Sequence, residues 1–142
     1  MLQESLKEVS NVVCEVCEGA KPENQNHSEA TYAEKIEKLE GKIDWNDSCE
    51  GIKNKFLAFI GWPQTFFILG GQEVKVISLS VHSPERGTAG KVHCFDKNSL
   101  DVFCSDGVVS IKSVQFPGKK VIGSLDFFNS RRDIISKGDL LI

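Results

Sequence analysis

Few residues of this sequence combine the type and the spacing that chemistry requires. Cys14 and Cys17 form a CxxC pair, a spacing found in metal sites and in redox-active dithiols. A zinc site needs about four ligands, and neither a second pair nor a histidine cluster accompanies this one. We therefore interpret the two cysteines as small residues on a helix. A half metal site and a redox pair are the alternatives.

A pair of adjacent lysines is the other candidate for chemistry. Lys119 and Lys120 follow Pro117-Gly118, a dipeptide typical of a tight turn. Lysine ammonium groups bind the phosphate oxygens of nucleic acids. The alternative for each lysine is an ordinary solvated surface charge. His27 lies in a polar stretch without ligand-like neighbours, so we interpret it as a solvated loop histidine.

Length and composition restrict the class of protein. A chain of 142 residues fits one domain with a core of its own. No apolar run approaches the roughly 18 residues that span a membrane, and the polar, acidic N-terminus does not resemble a secretory signal peptide. Five cysteines is an odd number without a framework spacing, so we expect a reducing compartment and no disulfide scaffold.

The formal net charge of -3 hides an asymmetry along the chain. Residues 1–45 contain ten acidic and five basic side chains, or -5, whereas residues 46–142 contain ten acidic and twelve basic ones, or +2. The second region is therefore mildly basic behind an acidic leader. This balance is compatible with a polyanionic partner but is too small to require one.

The first third of the chain is predicted to hold a helix and an extended connection. Gly19 to Thr31 is polar and aperiodic, as linkers are. From Tyr32 to Trp45 the apolar residues fit neither a helix nor a strand, so we expect an extended strap fixed by its aromatic ends. The preceding helix, over 2–16, is indicated by apolar residues at helical spacing: Leu2, Leu6, Val9, Val13 and Val16.

A second helix is predicted after the strap. Asn46 to Ser48 offers three N-cap choices, of which Asp47 has capping-box spacing with Glu50. Gly61 and Pro63 would end the helix. Its predicted buried stripe consists of Ile52, Phe56, Phe59 and Ile60.

From Thr65 onward the apolar residues alternate with a period of two, which predicts strands. The inward-facing parity changes near Val76 and again between Ile111 and Val114, and a β-bulge would explain each change. A short helix capped by Ser124 is expected next. The five predicted strands cover 65–69, 74–81, 90–95, 100–104 and 108–116, and the apolar residues expected to pack the tail onto the sheet are Ile134, Ile135, Leu140 and Leu141.

These elements predict a mainly β protein, a small OB-like antiparallel β-barrel with flanking short helices, preceded by a helix and a linker. Two bulged strands among five short ones favour a closed, strongly coiled sheet. Such barrels carry many unrelated activities, so the fold class alone does not give the function.

Several motifs resemble the C-terminal part of the methionyl-tRNA formyltransferase family. The most specific is Asp106 to Asn129, with Gly138-Asp139 after it. Where the family usually has Phe-Asn-Pro-Trp-Pro, this chain has Phe59-Ile60-Gly61-Trp62-Pro63, so that connection is expected to be remodelled. Further similar segments are Thr31-Tyr32-Ala33, Lys35-Ile36 and Gly41 to Trp45 in the strap, and Gly90-Lys91-Val92 in a central strand.

The resemblance implies three regions and an absent partner domain. Residues 1–18 would be the last helix of the missing catalytic domain, 19–45 the linker or strap, and 46–142 the C-terminal β-barrel domain. Formyl transfer from 10-formyltetrahydrofolate would belong to that N-terminal domain, whose Asn, His, Asp and SLLP-type loop have no match here. We therefore expect this chain to hold no catalytic residue, cofactor or metal, and to be inactive alone.

The resemblance also implies a nucleic-acid partner. In the family this domain helps to hold initiator Met-tRNA through basic side chains. Lys119 and Lys120 match the family's Gly-Lys-Lys loop, and the further candidates are Lys91, Lys112, Arg131 and Arg132. The expected partners are this tRNA and the absent catalytic domain, with no membrane. We expect a monomer in the cytoplasm of a bacterium, or in a mitochondrion or other organelle of a eukaryote.

Two other functions are open at this point. The barrel could be a structural domain of a related formyltransferase that acts on a sugar nucleotide or a folate. It could also be an interaction domain that has lost contact with RNA.

Overall fold

The computed structural model describes residues 2–21, 24, 26–82 and 85–141, with the backbone alone for 2–6. The chain divides into two compact units, Met1–Glu34 and Lys35–Ile142. In the first unit, helix α1 spans Leu2–Cys17 and confirms the predicted N-terminal helix. The predicted linker contains a 3-10 turn at His27–Glu29, and its residues 22, 23 and 25 lie outside the described residues. No helix in the described part of the chain is long and apolar enough to cross a membrane.

The second unit is organised by one antiparallel sheet. Its strand order is β1-β2-β5-β4-β3, and a sixth strand, β6, pairs with the second half of β5. The sheet curls into a half-barrel around the core, so the predicted mainly β, OB-like fold class is confirmed. The strands are β1 (Phe66–Leu69), β2 (Gln72–His82), β3 (Val92–Phe95), β4 (Leu100–Phe103), β5 (Val108–Gln115) and β6 (Val121–Gly123).

Both predicted bulges lie in the long central pair of strands. The register of β2 and β5 shifts between Val76 and Ser78, and again between Ser78 and Leu79. The first shift leaves Ile77 of β2 without a partner, and the second does the same to Lys112 of β5. An extra residue bends the strand that carries it and increases its twist. The two bulges therefore help to curl the sheet around its core.

The prediction of a closed, five-stranded sheet is wrong in two respects. β6 was missed, because its pairing with Ser113–Gln115 is a tertiary contact. In addition, edge strands β1 and β3 do not pair with each other among the described residues. Single bridges extend the two edges instead: Lys42 beside Phe66, and Lys91 beside Leu140. The strap and the C-terminal tail thus cover the edges that a closed barrel would join.

Helix α2 (Cys49–Ala58) begins one residue later than the predicted capping box requires. Ser48 is the N-cap, and its side-chain oxygen accepts a hydrogen bond from the Gly51 N–H at 3.0 Å. A second acceptor comes from the turn between β4 and β5, where the Asp106 carboxylate accepts a hydrogen bond from the Cys49 N–H at 2.7 Å. Two free N–H groups of the first turn are therefore satisfied, one locally and one by the β4–β5 turn.

Several predicted side-chain positions are also corrected. Tyr32 is 95% exposed, so only the Trp45 end of the strap is fixed in the core. Ile60 lies beyond the end of α2 and is exposed. Gly123, and not Ser124, is the N-cap of helix α3 (Ser124–Arg131). In the tail, Ile135 and Leu141 are buried, whereas Ile134 and Leu140 are exposed.

The stability of the fold is expected to fall in acid. The pKa values of three carboxyls lie below the ordinary 3.8, mainly because backbone N–H groups donate to them: Asn46 to Asp44, Asn98 and Ser99 to Asp96, and Cys49 to Asp106. The folded chain then binds fewer protons than the unfolded chain, so this stabilisation is complete above the ordinary pKa and is lost below it. We expect the free energy of unfolding to decrease between about pH 4 and pH 2, as measured by urea titration at each pH.

Asp106→Asn is the variant that isolates one of these groups. The asparagine side chain cannot ionise. The stability of this variant should therefore fall less steeply with falling pH than that of the unsubstituted chain. Asp126→Asn is the matched control, because Asp126 makes no side-chain hydrogen bond within the described residues. Equal acid profiles for Asp106→Asn and the unsubstituted chain would contradict the assignment.

Candidate nucleic-acid interface

The lysine pair is presented by a well-defined turn. The Lys119 N–H donates to the Phe116 carbonyl at 3.1 Å, and Gly118 has a φ of 68°, a combination typical of a type II turn with Pro117 and Gly118 at its centre. The Gln115 side-chain amide donates to the Lys119 carbonyl at 2.9 Å and holds the far end of the turn. Lys119 and Lys120 themselves are exposed.

A groove lies beside this turn, and we call it the turn groove. It contains two lysines, Lys75 and Lys119, and one acid, Glu73. The acid is already neutralised, because the Lys38 ammonium contacts its carboxylate at 2.6 Å. The two lysines of the groove have no carboxylate partner within the described residues. The turn groove is lined by Glu73, Lys75, Gln115, Phe116, Pro117, Gly118 and Lys119.

The C-terminal tail builds a second groove at the other end of the sheet. Residues 138–141 run along residues 90–92: the Val92 N–H donates to the Asp139 carbonyl at 2.7 Å, and the Gly138 N–H donates to the Val92 carbonyl at 2.8 Å. A tight turn places Lys137 there, since the Asp139 carboxylate accepts from the Ser136 N–H at 2.7 Å. The tail therefore brings Lys137 next to Lys91.

We call this second groove the tail groove. Its volume is about 530 Å³, and it is open to solvent. Three of its side chains are cationic, and none of the three has an ion-pair partner in the described ranges. The tail groove is lined by Arg86, Gly87, Thr88, Lys91, Val92, His93, Phe103, Lys137 and Gly138.

One wall of the tail groove is aromatic. The His93 ring packs edge-on against Phe103, with 4.8 Å between ring centroids. The His93 Nε2 lies 3.0 Å from a Glu85 carboxylate oxygen, so this carboxylate is in contact with the imidazole ring. Gly87 passes so close to the Phe103 ring that a β-carbon at this position would overlap it. The described lining of the tail groove contains no acid, and Glu85, next to it in the chain, is in contact with His93.

The structure does not bring the six predicted site residues together. Lys119 lies in the turn groove, and Lys91 lies in the tail groove. The Arg131 guanidinium stacks 4.8 Å above the ring of Phe116, at the border of the turn groove. Lys120 and Arg132 are exposed outside both grooves, as is Lys112 at the β5 bulge.

Sequence reasoning missed three basic residues: Arg86, Lys137 and Lys75. The first two are far apart in the chain and meet only because the tail pairs with residues 90–92. A weak signal was present in Gly138-Asp139, a turn dipeptide directly after Lys137. Cys14 and Cys17 lie on α1, as predicted, and both are exposed.

The two grooves include residues from opposite ends of the central β2–β5 ladder, since Gln115 lines one and Phe103, the partner of Val108, lines the other. Lys75 pairs with Gln115 at one end of the β2–β5 ladder, and His82 pairs with Val108 at the other. Seven residues of extended chain span roughly 23 Å.

The curled antiparallel sheet with its short helices places the second unit among the small OB-like β domains. The particular family follows from comparison with known proteins. The formyl transferase, C-terminal domain family matches residues 35–132, and the chain belongs to it. A methionyl-tRNA formyltransferase of Pseudomonas entomophila (strain L48) is 38% identical over 119 residues, which are 84% of this chain and 38% of that protein. The chain thus spans well under half of this relative, and the predicted resemblance is confirmed.

Solved structures of HypX from Aquifex aeolicus share the fold. The complex of HypX with tetrahydrofolic acid superposes with a TM-score of 0.61 at 20% identity, covering 94% of this chain and 26% of that chain. A HypX variant carrying six substitutions gives a TM-score of 0.59 at the same identity and covers 23% of that chain. At this level of identity the similarity concerns the fold alone.

Proposed function

We propose that this chain is the initiator-tRNA-binding C-terminal domain of a methionyl-tRNA formyltransferase. It would hold Met-tRNA while a separate N-terminal catalytic domain transfers the formyl group from 10-formyltetrahydrofolate. The observation that carries the proposal is the tail groove, where Arg86, Lys91 and Lys137 line one surface without an acidic partner in the described residues. Unpaired cations in a groove are the side chains that bind phosphate oxygens.

The turn groove supplies a second contact in this proposal. Lys119 and Lys120 extend from a turn that three residues hold by hydrogen bonds, so binding would cost little ordering of the backbone. Phosphate contacts fix the position of a nucleic acid and do not read its sequence. We assign this domain to positioning, and both the choice of tRNA and the chemistry to the catalytic domain. The setting would be the cytoplasm of a bacterium or an organelle.

The N-terminal helix has a place in the same proposal. Val9, Val13 and Val16 of α1 are spaced on one helical face, and each is more than half exposed. We propose that this stripe packs against the catalytic domain, of which α1 would be the last helix.

Removing the lysine pair tests the turn groove. Lys119→Ala with Lys120→Ala is expected to weaken binding of initiator tRNA about 10-fold at 0.1 M salt, because two phosphate contacts are lost. The slope of log affinity against log salt should become shallower by about two. Fluorescence anisotropy of labelled initiator tRNA at several salt concentrations measures both quantities.

Lys53→Ala is the matched control for charge. Lys53 already contacts Glu50 at 3.5 Å on α2, so its removal should leave the affinity unchanged. Unaltered binding by the double variant would show that the turn groove does not contact RNA. Absence of any salt-dependent binding by the unsubstituted chain would favour the structural role in a related formyltransferase.

A further inference from the structure

Two buried cysteines face each other between α2 and the β4–β5 turn. The sulfurs of Cys49 and Cys104 lie 2.8 Å apart, and neither residue is more than 6% exposed. Cys49 is the first residue of α2, and Cys104 directly follows β4. The two cysteines are distant in the sequence, so this contact belongs to the tertiary structure.

Backbone contacts hold the two segments together independently of the sulfurs. The Cys49 N–H donates to the Asp106 carboxylate at 2.7 Å, and the Ser105 N–H donates to the Asp47 carbonyl at 3.2 Å. The turn itself is closed by the Cys104 N–H, which donates to the Gly107 carbonyl at 2.9 Å. Because these bonds fix both backbones, the two sulfurs are kept close to each other whatever their chemical state.

The Asp106 carboxylate is the third group at this site, so a metal ion is one possible occupant. Two sulfurs on a tetrahedral zinc, each at about 2.3 Å, lie roughly 3.7 Å apart, whereas a disulfide bond measures about 2.05 Å. The Cys49 sulfur also lies 3.8 Å from the carbonyl oxygens of His82 and Val108. One oxygen of Asp106 is also engaged by the Cys49 N–H. Three groups fall short of the about four ligands that a structural zinc needs, so bond formation between the sulfurs is favoured over coordination.

We propose that Cys49 and Cys104 are a reversible disulfide pair that is oxidised by a low-molecular-weight disulfide such as oxidised glutathione. In the first step one cysteine loses its proton, and its sulfur attacks the oxidant, forming a mixed disulfide and releasing one glutathione. The second cysteine then loses its proton, and its sulfur attacks the protein sulfur of the mixed disulfide and releases the second glutathione; the two leaving glutathione thiolates take up the two protons. Two protein thiols lose two electrons, and the oxidant gains them.

The surroundings of the pair make this reaction slow at neutral pH. Burial raises the pKa of the Cys49 thiol to about 12, with a further contribution from the neighbouring Cys104 thiol and Asp106 carboxylate. Only the thiolate attacks a disulfide. The pair is thus expected to persist as a dithiol in a reducing compartment. Under sustained oxidation the bond would fasten the start of α2 to the β4–β5 turn.

The test uses the full chain with Cys14→Ser and Cys17→Ser, so that the exposed CxxC pair does not react. This protein is incubated overnight with millimolar oxidised glutathione at pH 8.5, unfolded, alkylated and mapped by mass spectrometry. We expect two of its three remaining thiols to be lost and one linked peptide to contain Cys49 and Cys104. The thermal midpoint should rise by about 10 °C, because a long loop is closed, and should return after dithiothreitol is added.

Cys94→Ser in the same background is the matched control and should retain the linked peptide, whereas Cys104→Ala should lose it. Three free thiols after oxidation, or a bridge that includes Cys94, would overturn the proposal. Protection of both thiols from alkylation by one equivalent of zinc, without a linked peptide, would overturn it in favour of a metal site. The peptide map of the unsubstituted pair decides the matter even if Cys104→Ala does not fold.

Discussion

Simultaneous replacement of Arg86, Lys91 and Lys137 by alanine is expected to weaken the binding of initiator tRNA by about 100-fold at 0.1 M salt. Each phosphate contact changes log affinity by roughly 0.9 for a tenfold change in salt concentration. Three contacts therefore account for up to about 2.7 log units between 0.1 M and 1 M salt. The expected loss is somewhat smaller, because side chains at the edge of a groove are also solvated by water.

The salt dependence separates lost contacts from a damaged fold. The slope of log affinity against log salt should be shallower by about three in the alanine variant. A charge-preserving variant, with Arg86→Lys, Lys91→Arg and Lys137→Arg, is the control and should retain the affinity within about threefold, because phosphate contact depends mainly on charge. Equal slopes for the alanine variant and the unsubstituted chain would remove the tail groove from the interface.

The two grooves are the physical basis on which we propose that a domain with little net positive charge binds a polyanion. Glu73 beside the turn groove is paired with Lys38, and Glu85 near the tail groove is in contact with the His93 ring. The basic side chains beside them are left without partners in the described residues. The local charge of a surface, more than the net charge of the chain, sets the field that a phosphate meets.

Local features of the fold were predictable from the sequence. The change of parity at Val76 predicted the β2 bulge, because side chains alternate strictly between the faces of a regular strand. Likewise, Pro117-Gly118 predicted the turn that presents Lys119, since proline and glycine have the backbone angles that a type II turn needs. In both cases the physical cause lies within a few residues of the chain.

Features created by distant pairing could not be predicted in this way. β6 consists of three residues whose strand character comes from their pairing with β5. The tail groove depends on the pairing of residues 138–141 with residues 90–92, and Arg86 and Lys137 show no relation in the sequence. Ser48 and Asp106 provide a similar case, because the second acceptor for the start of α2 comes from the β4–β5 turn.

The ring of Phe127 joins α3 to the sheet and to the turn groove. It is 1% exposed and lies 5.1 Å from Phe95 of β3 and 5.8 Å from Phe116, measured between ring centroids. The Arg131 guanidinium lies over the ring of Phe116, and Phe116 directly precedes Pro117-Gly118. The position of the lysine turn therefore depends on the packing beneath it.

Phe127→Ala is expected to lower the free energy of unfolding by about 3–5 kcal/mol, since it removes a buried ring and leaves a cavity that α3 and the sheet cannot fully close. The corresponding fall in the thermal midpoint is about 10 °C for a chain of this length. Urea unfolding followed by circular dichroism measures the change. Leu125→Ala on the same helix is the control, because Leu125 is 49% exposed and its truncation should cost less than about 1 kcal/mol. If the two variants were equally stable, Phe127 would not be the residue that fixes α3 to the end of the half-barrel.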